Sequence, residues 1–496
     1  MARSERRLVV VSNRVGPLGD EGKAGGLAVG LADALRRRGG VWFGWSGETT
    51  EAGTASELKT ESHDGTDLVT IDMTGEELEG FYLGYANRSL WPLLHYRLDI
   101  AEFDRKSDRI YREVNASFAE RLLPTLRESD LVWVHDYHFF YFGAELRRRG
   151  FRGRLGFFLH IPFCLADILG ALPASHDIVR ALLAYDVVGF QTEQDRRNFI
   201  NFCIQELDGE ELENDRLRVG DRTTRASTFP IGIDAEGFAE FAASEEAREH
   251  MEMVREMANG RSQIVGVDRM DYSKGIVHRM RGFEQLLDDH PQHCGKVRFL
   301  QVAPISRGEL DAYADLRNEL EHLAGSINGR FATLDWTPMQ IMTRGFTRRA
   351  LAGIYRAADI CMVTPLRDGM NLVAKEYVAA QDPEDPGVLI LSRFAGAKAE
   401  LSAALIVNPY SSEDVARALE RALTMPLDER KARWRQMREK VFTNTAARWC
   451  DGFLEALDQP AADPAETAPS LPETDTPGLY ARLRQALKPV RAPARS

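Results

Sequence analysis

Short apolar runs alternate with amphipathic helical stretches along this chain, and no other feature of the sequence constrains the fold as strongly. The runs suit buried strands of a parallel sheet, and polar loops follow them. One series of predicted strands covers residues 8–11, 131–134, 155–159 and 187–190, and a second covers residues 264–267, 297–302, 360–363, 388–391 and 405–407. Strands separated by helices predict βαβ units, so we expect an α/β protein with two doubly wound, Rossmann-like domains.

The length of 496 residues exceeds one ordinary core and agrees with two domains. We predict domains over residues 1–240 and 241–440, with the boundary in the polar, Glu- and Ala-rich stretch 234–259. A helix is expected over residues 441–458, and the Pro- and Ala-rich residues 459–496 are typical of a disordered tail.

Composition disfavours several classes of function. The 63 Lys and Arg against 75 Asp and Glu give a net charge of -12, which argues against general affinity for nucleic acid or anionic membranes. The five cysteines are widely spaced and form no CxxC pair, so neither a disulfide framework nor a zinc site is predicted, and a reducing cytoplasm fits. Neither a signal peptide nor a membrane-spanning run is expected.

The segment 364–376, TPLRDGMNLVAKE, joins a predicted strand to a predicted helix. In open α/β sheets ligands bind at this edge, where Gly369 lets the backbone approach a ligand and the first helical amides are free. Asp368 could accept sugar hydroxyls, and Glu376, about two turns into the helix, could accept a ribose diol. The alternative is an ordinary helix start, with Asp368 as cap and with Lys375 and Glu376 in solvent.

Polar residues also follow the other predicted strands. They are Ser12, Asn13, Arg14 and the Gly25-Gly26 pair, His135 to His138, His160, Asp268 to Gly275, and Ala303 to Gly308. If both sheets carry such residues at their carboxyl edges, a ligand between the domains would touch both edges.

Each of these motifs has a plainer alternative. Gly25-Gly26 is not a Walker motif and could be an ordinary loop. Arg269 and Lys274 could be surface charges, although a fork donor and a point charge beside a glycine suit a pyrophosphate. His135 and His138 with Asp136 could suggest a metal, but no further Cys or His cluster supports it.

Ordered motifs carry a resemblance to a known family. They are VVVSNR, AGGLAVGL, WFGWSGE, LWPLLHYR, VWVHDYH, GFFLHIPF, VGFQTE, FPIGID, VDRMDYSKG, APISRGE, INGRF, TPLRDGMNLVAKEYVAAQDP and LIVNPY. Across about residues 6–457 the chain resembles the trehalose-6-phosphate synthases, which are the retaining glycosyltransferases of family 20. The resemblance implies the two-domain GT-B architecture, with the active site between an N-terminal acceptor domain and a C-terminal donor domain, and with the helix 441–458 packing back on the first domain.

For the donor, the resemblance implies UDP-glucose. Arg269 and Lys274 would hold its diphosphate with backbone help from Gly25 and Gly26, and Phe346 would lie by the uracil. Asp368 and His160 would bind the transferred glucose. The further donor contacts implied are Met370, Asn371, Leu372, Val373, Ala374, Lys375 and Glu376, the last of them on the ribose.

For the acceptor, the resemblance implies glucose 6-phosphate and therefore α,α-trehalose 6-phosphate and UDP as products. Arg14 and Arg307 would grip the 6-phosphate together with Tyr82. Asp136 would take sugar hydroxyls, and Trp91 would shape the anomeric choice. The catalytic set implied is Asp136, His160, Arg269, Lys274 and Asp368, with no metal or cofactor.

Arg269 and Lys274 would then stabilise charge on the departing phosphate, which is the role that a metal ion fills elsewhere. A carboxylate nucleophile, Asp136 or Asp368, and same-face substitution both stay open. One departure from the family pattern is Cys164-Leu165-Ala166-Asp167 after HIPF, where a proline is more usual.

Two other functions stay open. One is a glucosylglycerol-phosphate synthase-like transferase using ADP-glucose and glycerol 3-phosphate, and the other is a catalytically silent sugar-phosphate sensor. The family also implies a homo-oligomer, either a dimer or a tetramer.

Overall fold

The computed structural model describes residues 6–16, 26–51, 57–63, 65–305 and 311–459, and in them the strands form two sheets. The first sheet contains β1 Leu8–Arg14, β2 Gly40–Thr50, β3 Lys59–His63, β4 Thr66–Thr74, β5 Leu131–His135, β6 Arg154–Phe158, β7 Val187–Phe190, β8 Glu210–Glu211, β9 Arg216–Val219 and β10 Arg222–Thr228. Its order is β3-β4-β2-β1-β5-β6-β7-β10-β9-β8. The pairs from β4 through β1 to β10 are parallel, whereas β3, β9 and β8 join antiparallel.

The second sheet is wholly parallel. It contains β11 Ser262–Val267, β12 Val297–Val302, β13 Met339–Met342, β14 Ile360–Val363, β15 Val388–Ser392 and β16 Leu405–Val407. Its order, β13-β12-β11-β14-β15-β16, reverses direction between β11 and β14. The first sheet reverses in the same way between β1 and β5, so each sheet has a switch point of the kind where doubly wound folds bind ligands. The predicted α/β class with two doubly wound sheets is confirmed.

The helices that cover these sheets follow the alternation expected from sequence. In chain order they are α1 Gly26–Arg38, α2 Gly75–Glu77, α3 Trp91–Leu94, α4 Arg105–Leu122, α5 Phe142–Arg148, α6 Ala166–Leu169, α7 Ser175–Leu182, α8 Glu193–Leu207, α9 Ala235–Ala243, α10 Glu245–Ala258, α11 Ile276–Asp289, α12 Asp311–Phe331, α13 Arg348–Ala357, α14 Leu372–Ala380, α15 Ser412–Leu423, α16 Leu427–Thr443 and α17 Ala446–Asp458. A π-helix, Leu78–Leu90, connects α2 to α3. Polar side chains such as Thr192, Thr347 and Ser411 cap the first amides of the helices that follow them.

The chain passes between the two sheets twice, and the two crossings touch. After β10 it reaches α9, and it returns through α17, whose Phe453 stacks on Trp133 of the first sheet at 4.6 Å between ring centroids. The Ala446 amide donates to the Ile233 carbonyl at 3.2 Å. A Cβ on Gly232 would come within 1.9 Å of the Asn444 carbonyl oxygen, so only glycine fits the junction.

No helix within the described ranges is long and apolar enough to cross a membrane. The predicted tail falls almost wholly on residues 460–496, which lie outside the described residues.

Candidate active site

A buried arginine holds together the loops at the switch point of the second sheet. Arg279 of α11 has no exposed surface, and its guanidinium donates to Asp268 Oδ2 at 2.7 Å, to Thr364 Oγ1 at 2.9 Å and to Gln301 Oε1 at 3.1 Å. These three partners stand at or just beyond the ends of β11, β14 and β12. A guanidinium supplies several donors in fixed directions, so one side chain sets the spacing of three loops.

Lys274 and Asp368 form an ion pair on that platform, 2.5 Å from Nζ to Oδ2. Asn371 Nδ2 donates to the same carboxylate oxygen at 3.0 Å. Asn371 has a φ of 75°, in the left-handed region that asparagine tolerates better than most residues, and this turn precedes α14. The two charged side chains are 12% and 13% exposed, so the pair is shielded from water yet can be reached by a ligand.

The loop that carries Asp368 presses on the first domain. A Cβ added to Gly369 would lie 2.1 Å from the carbonyl oxygen of His160, so this contact of two backbones needs glycine. The structure therefore brings the residues after β14 and those after β6 together, as the sequence predicted for two facing edges.

Arg269 also faces the first domain. Its guanidinium carbon lies 5.5 Å from the centre of the Trp91 ring, within cation–π distance. Asp271, which is buried, lies 4.0 Å away, and the Arg269 side chain stays 48% exposed. The cation is thus held near the cleft by weak contacts, and among the described residues these leave donors of the guanidinium available for an anion.

His160 lies half-buried on the first-domain side. Its Nε2 lies 3.0 Å from His135 Nδ1, and its Nδ1 lies 3.4 Å from Gln191 Nε2. The His160 backbone amide donates to Asp136 Oδ1 at 3.3 Å, and Asp136 has a φ of 74°. Burial lowers the pKa of His160 to about 3, because the charged ring would lose its hydration, so the imidazole is neutral at physiological pH.

Arg14 and Tyr82 meet at Trp45. The Arg14 guanidinium carbon lies 5.7 Å from the Trp45 ring centre, and Tyr82 packs on the same ring at 6.1 Å. Tyr82 also stacks on His138 at 5.8 Å. Gly47 lies against the Arg14 side chain, since a Cβ there would come within 2.3 Å of it.

Two residues of the predicted acceptor and donor sets, Arg307 and Gly25, lie outside the described residues. Gly26 is the first residue of α1. Phe346 packs beside Arg344, with 5.0 Å from ring centre to guanidinium carbon, and its ring is half-buried.

The remaining predicted donor residues lie in helix α14 or directly before it, and they differ in how far they are buried. Met370 and Ala374 are buried, whereas Leu372 and Val373 are half-buried.

The Lys375 ammonium does not reach the Asp368 pair or solvent: it donates to the Ile231 carbonyl at 2.7 Å and pairs with Glu400. Only the backbone of Lys375 is left for a ligand. Its buried position lowers its pKa, whereas burial raises the pKa of Glu376 to about 7.

No group of metal-ligating side chains occurs among the described residues. His135 contacts His160, and His138 stacks on Tyr82, so the two histidines of the HDYH motif contact different residues. The motif therefore forms no metal site in the part of the chain that the structure describes.

Sequence reasoning missed Gln191 and Arg279. Gln191 directly follows β7, so the strand-end rule that selected His160 could have found it. Arg279 gave no signal, since an arginine on an amphipathic helix normally faces solvent.

Comparison with known proteins gives the family. The family model described as Glycosyltransferase family 20 matches residues 15–459. The chain belongs to glycosyltransferase family 20. Two relatives named trehalose-6-phosphate synthase share this membership. The one from Sodalis glossinidius is 45% identical over 452 residues, covering 91% of this chain and 96% of the relative, and the one from Sinorhizobium fredii is 46% identical over 455 residues, covering 91% and 98%.

Solved family 20 structures share the fold as well as the sequence. An α,α-trehalose-phosphate synthase (UDP-forming) from Burkholderia xenovorans, in complex with glucose-6-phosphate, has a TM-score of 0.88 at 46% identity and covers 91% of this chain and 100% of its own. The enzyme from E. coli bound with UDP-2-fluoro glucose has a TM-score of 0.88 at 44% identity, covering 92% and 99%. The fold of this family 20 chain is therefore the GT-B arrangement of two facing sheets.

Proposed function

We propose that this family 20 chain transfers glucose from UDP-glucose to glucose 6-phosphate, giving α,α-trehalose 6-phosphate and UDP. One observation carries the proposal: Arg269 and the Lys274–Asp368 pair of the second domain face the His160 segment of the first domain. Relatives with this name are similar over nearly the whole chain, which supports the same reaction here.

Arg269 and Lys274 hold the diphosphate of the donor. When the anomeric bond breaks, negative charge grows on the departing phosphate, and two cations in a partly dry cleft stabilise that charge more than they stabilise the ground state. Lys274 is pre-oriented by Asp368, so binding the donor costs little reorganisation.

Asp368 and His160 bind the transferred glucose, and Glu376 binds the ribose. Gly25, Gly26, Phe346 and the run Met370, Asn371, Leu372, Val373, Ala374 and Lys375 complete the donor site in this proposal, with Lys375 acting through its backbone. The close contact of Gly369 with His160 supports a single glucose site shared by the two domains.

Arg14, Tyr82 and Arg307 bind the 6-phosphate of the acceptor, Asp136 binds its hydroxyls and Trp91 restricts its approach. The contact of Arg14 and Tyr82 with one indole ring supports their acting on one phosphate. Asp368 is already engaged by both Lys274 and Asn371, which favours binding over nucleophilic attack and hence same-face substitution.

We further propose that residues 1–240 form the acceptor domain and residues 241–440 the donor domain, with 441–458 returning to the first. The five free cysteines agree with work in the cytoplasm, and a homo-oligomer, dimer or tetramer, is expected from the family. Light scattering after gel filtration measures the oligomeric state.

The test uses purified protein with either UDP-glucose or ADP-glucose and with either glucose 6-phosphate or glycerol 3-phosphate. We expect the fastest nucleotide release with UDP-glucose and glucose 6-phosphate, and a non-reducing disaccharide phosphate as product. Faster reaction with glycerol 3-phosphate would replace this proposal with the glucosylglycerol-phosphate reaction. Binding without turnover in every combination would favour a sensor.

A further inference from the structure

The imidazole of His160 is held by partners on both ring nitrogens. Gln191 Nε2 lies 3.4 Å from Nδ1, and His135 Nδ1 lies 3.0 Å from Nε2. A neutral imidazole has one donor and one acceptor nitrogen, so these two neighbours decide which nitrogen carries the proton.

The backbone of Ile231 decides the orientation of the Gln191 amide. The Ile231 N–H can only donate, and it donates to Gln191 Oε1 at 3.0 Å. The NH₂ group of Gln191 must therefore be the end that faces His160 Nδ1. Flipping the amide would set its NH₂ against the Ile231 N–H and lose that bond inside a buried site, which leaves a buried donor unsatisfied.

The proton positions follow from this orientation. Because an amide nitrogen only donates, His160 Nδ1 accepts, and the proton of the neutral ring is on Nε2. His160 Nε2 then donates to His135 Nδ1, which leaves the proton of His135 on its own Nε2. That atom is buried, and none of the described residues accepts a hydrogen bond from it.

The backbone of Ile231 is itself held on both sides. The Ile231 N–H donates to Gln191, and the Ile231 carbonyl accepts from Lys375 Nζ at 2.7 Å. Lys375 lies in α14, so the backbone of Ile231 connects Gln191, and through it His160, to the helix of the donor side.

We propose that Gln191 is a positioning residue of the transfer reaction, which fixes His160 as the Nε2–H tautomer by presenting its amide NH₂ to Nδ1 while Ile231 holds its oxygen. This inference rests on the proposed placing of His160 beside the transferred glucose. In it, His160 meets the donor as a neutral ring of fixed orientation, and because both of its nitrogens are occupied it takes no proton from the sugar.

The first experiment needs no substrate. Protein labelled with ¹⁵N-histidine is examined by long-range ¹H–¹⁵N correlation, and a His160→Gln variant assigns the signal. We expect His160 to show an unprotonated Nδ1 and a protonated Nε2. A protonated Nδ1, or a charged ring at neutral pH, overturns the proposal whatever reaction the enzyme catalyses.

The second experiment uses Gln191→Glu. At alkaline pH its carboxylate still accepts from Ile231 but can only accept from His160, so the His160 proton moves to Nδ1. We expect the tautomer signal to switch and kcat to fall about tenfold or more, with KM for glucose 6-phosphate close to that of the native enzyme.

The matched control is Gln194→Glu, which adds the same charge on an exposed position of α8, three residues along the chain. It should leave both the tautomer and kcat unchanged. If Gln191→Glu switches the tautomer without lowering kcat, or lowers kcat without switching the tautomer, the positioning role is refuted.

Discussion

Removing the Arg269 cation should separate its effect on turnover from its effect on stability. Arg269→Ala deletes a group proposed to stabilise charge on the leaving phosphate, and losing one such donor typically costs about 2.7–4 kcal/mol of activation free energy, or roughly 10²–10³ in kcat. In the free protein the same side chain makes two weak contacts with residues that the structure describes. They are the Trp91 ring at 5.5 Å and the Asp271 carboxylate at 4.0 Å.

Those contacts set the expected loss of stability. A cation–π contact at an exposed site contributes about 0.5–1 kcal/mol, and a half-exposed ion pair at 4.0 Å adds little. The free energy of unfolding should therefore fall by about 1 kcal/mol or less, which corresponds to a melting temperature lower by roughly 2–4 °C.

The assay follows UDP release against UDP-glucose concentration, with thermal unfolding measured on the same samples. Arg281→Ala is the matched control, because Arg281 lies in the same domain, is exposed and pairs at 3.4 Å with Glu319. Arg269→Lys should recover only part of the rate, since an ammonium lacks the fork of donors. Near-native kcat in Arg269→Ala, or a loss of rate that merely tracks unfolding, would show the reasoning to be wrong.

Three further outcomes are expected. Lys375→Met should lower the free energy of unfolding by about 3–5 kcal/mol in chemical denaturation, because it removes the cation from the largely shielded carboxylate of Glu400, and adding Glu400→Gln should recover much of that loss. Gly369→Ala should reduce kcat by on the order of a hundredfold, because its Cβ would displace the loop from the His160 carbonyl, while the affinity for free UDP should stay nearly unchanged. An unaltered kcat would contradict the close contact of the two backbones. Because the pKa of Glu376 is raised to about 7, its carboxylate forms as pH rises through neutrality, so KM for UDP-glucose should fall over that range, and Glu376→Gln should remove the dependence.

The sequence predicted the fully apolar parallel strands, because a strand that is buried on both faces is apolar along its whole length. The runs 187–190, 297–302, 360–363 and 405–407 match β7, β12, β14 and β16 residue for residue. Strands of other character were missed. Residues 222–228, RTTRAST, form β10 with four of the seven residues partly exposed, and glycines interrupt β2 at positions 44 and 47. Such segments become strands because a neighbouring strand supplies backbone hydrogen-bond partners. The local sequence does not reveal that neighbour.

The candidate site was predictable where one rule applied, namely that polar residues after parallel strands meet at one edge. That rule selected Lys274, Asp368 and His160, which the fold does bring to the two facing edges. It could not find the orientation of Lys375, because the partners of its ammonium, Ile231 and Glu400, are remote in sequence. The direction in which a helical side chain points depends on which other element packs against that helix, and no local sequence pattern specifies that element.

The geometry between the domains also constrains how the site can open. Both chain crossings meet at one junction, where Gly232 lies on Asn444, so relative motion of the domains must turn about that point. Among the described residues, three arginine–aromatic contacts cross the cleft away from it: Arg269 on Trp91, Arg97 on Tyr272 and Arg367 on Tyr96. At about 0.5–1 kcal/mol each, they favour closure by roughly 1.5–3 kcal/mol. That is enough to keep water from an intermediate for most of the time, and small enough for UDP and the sugar product to leave on each turnover.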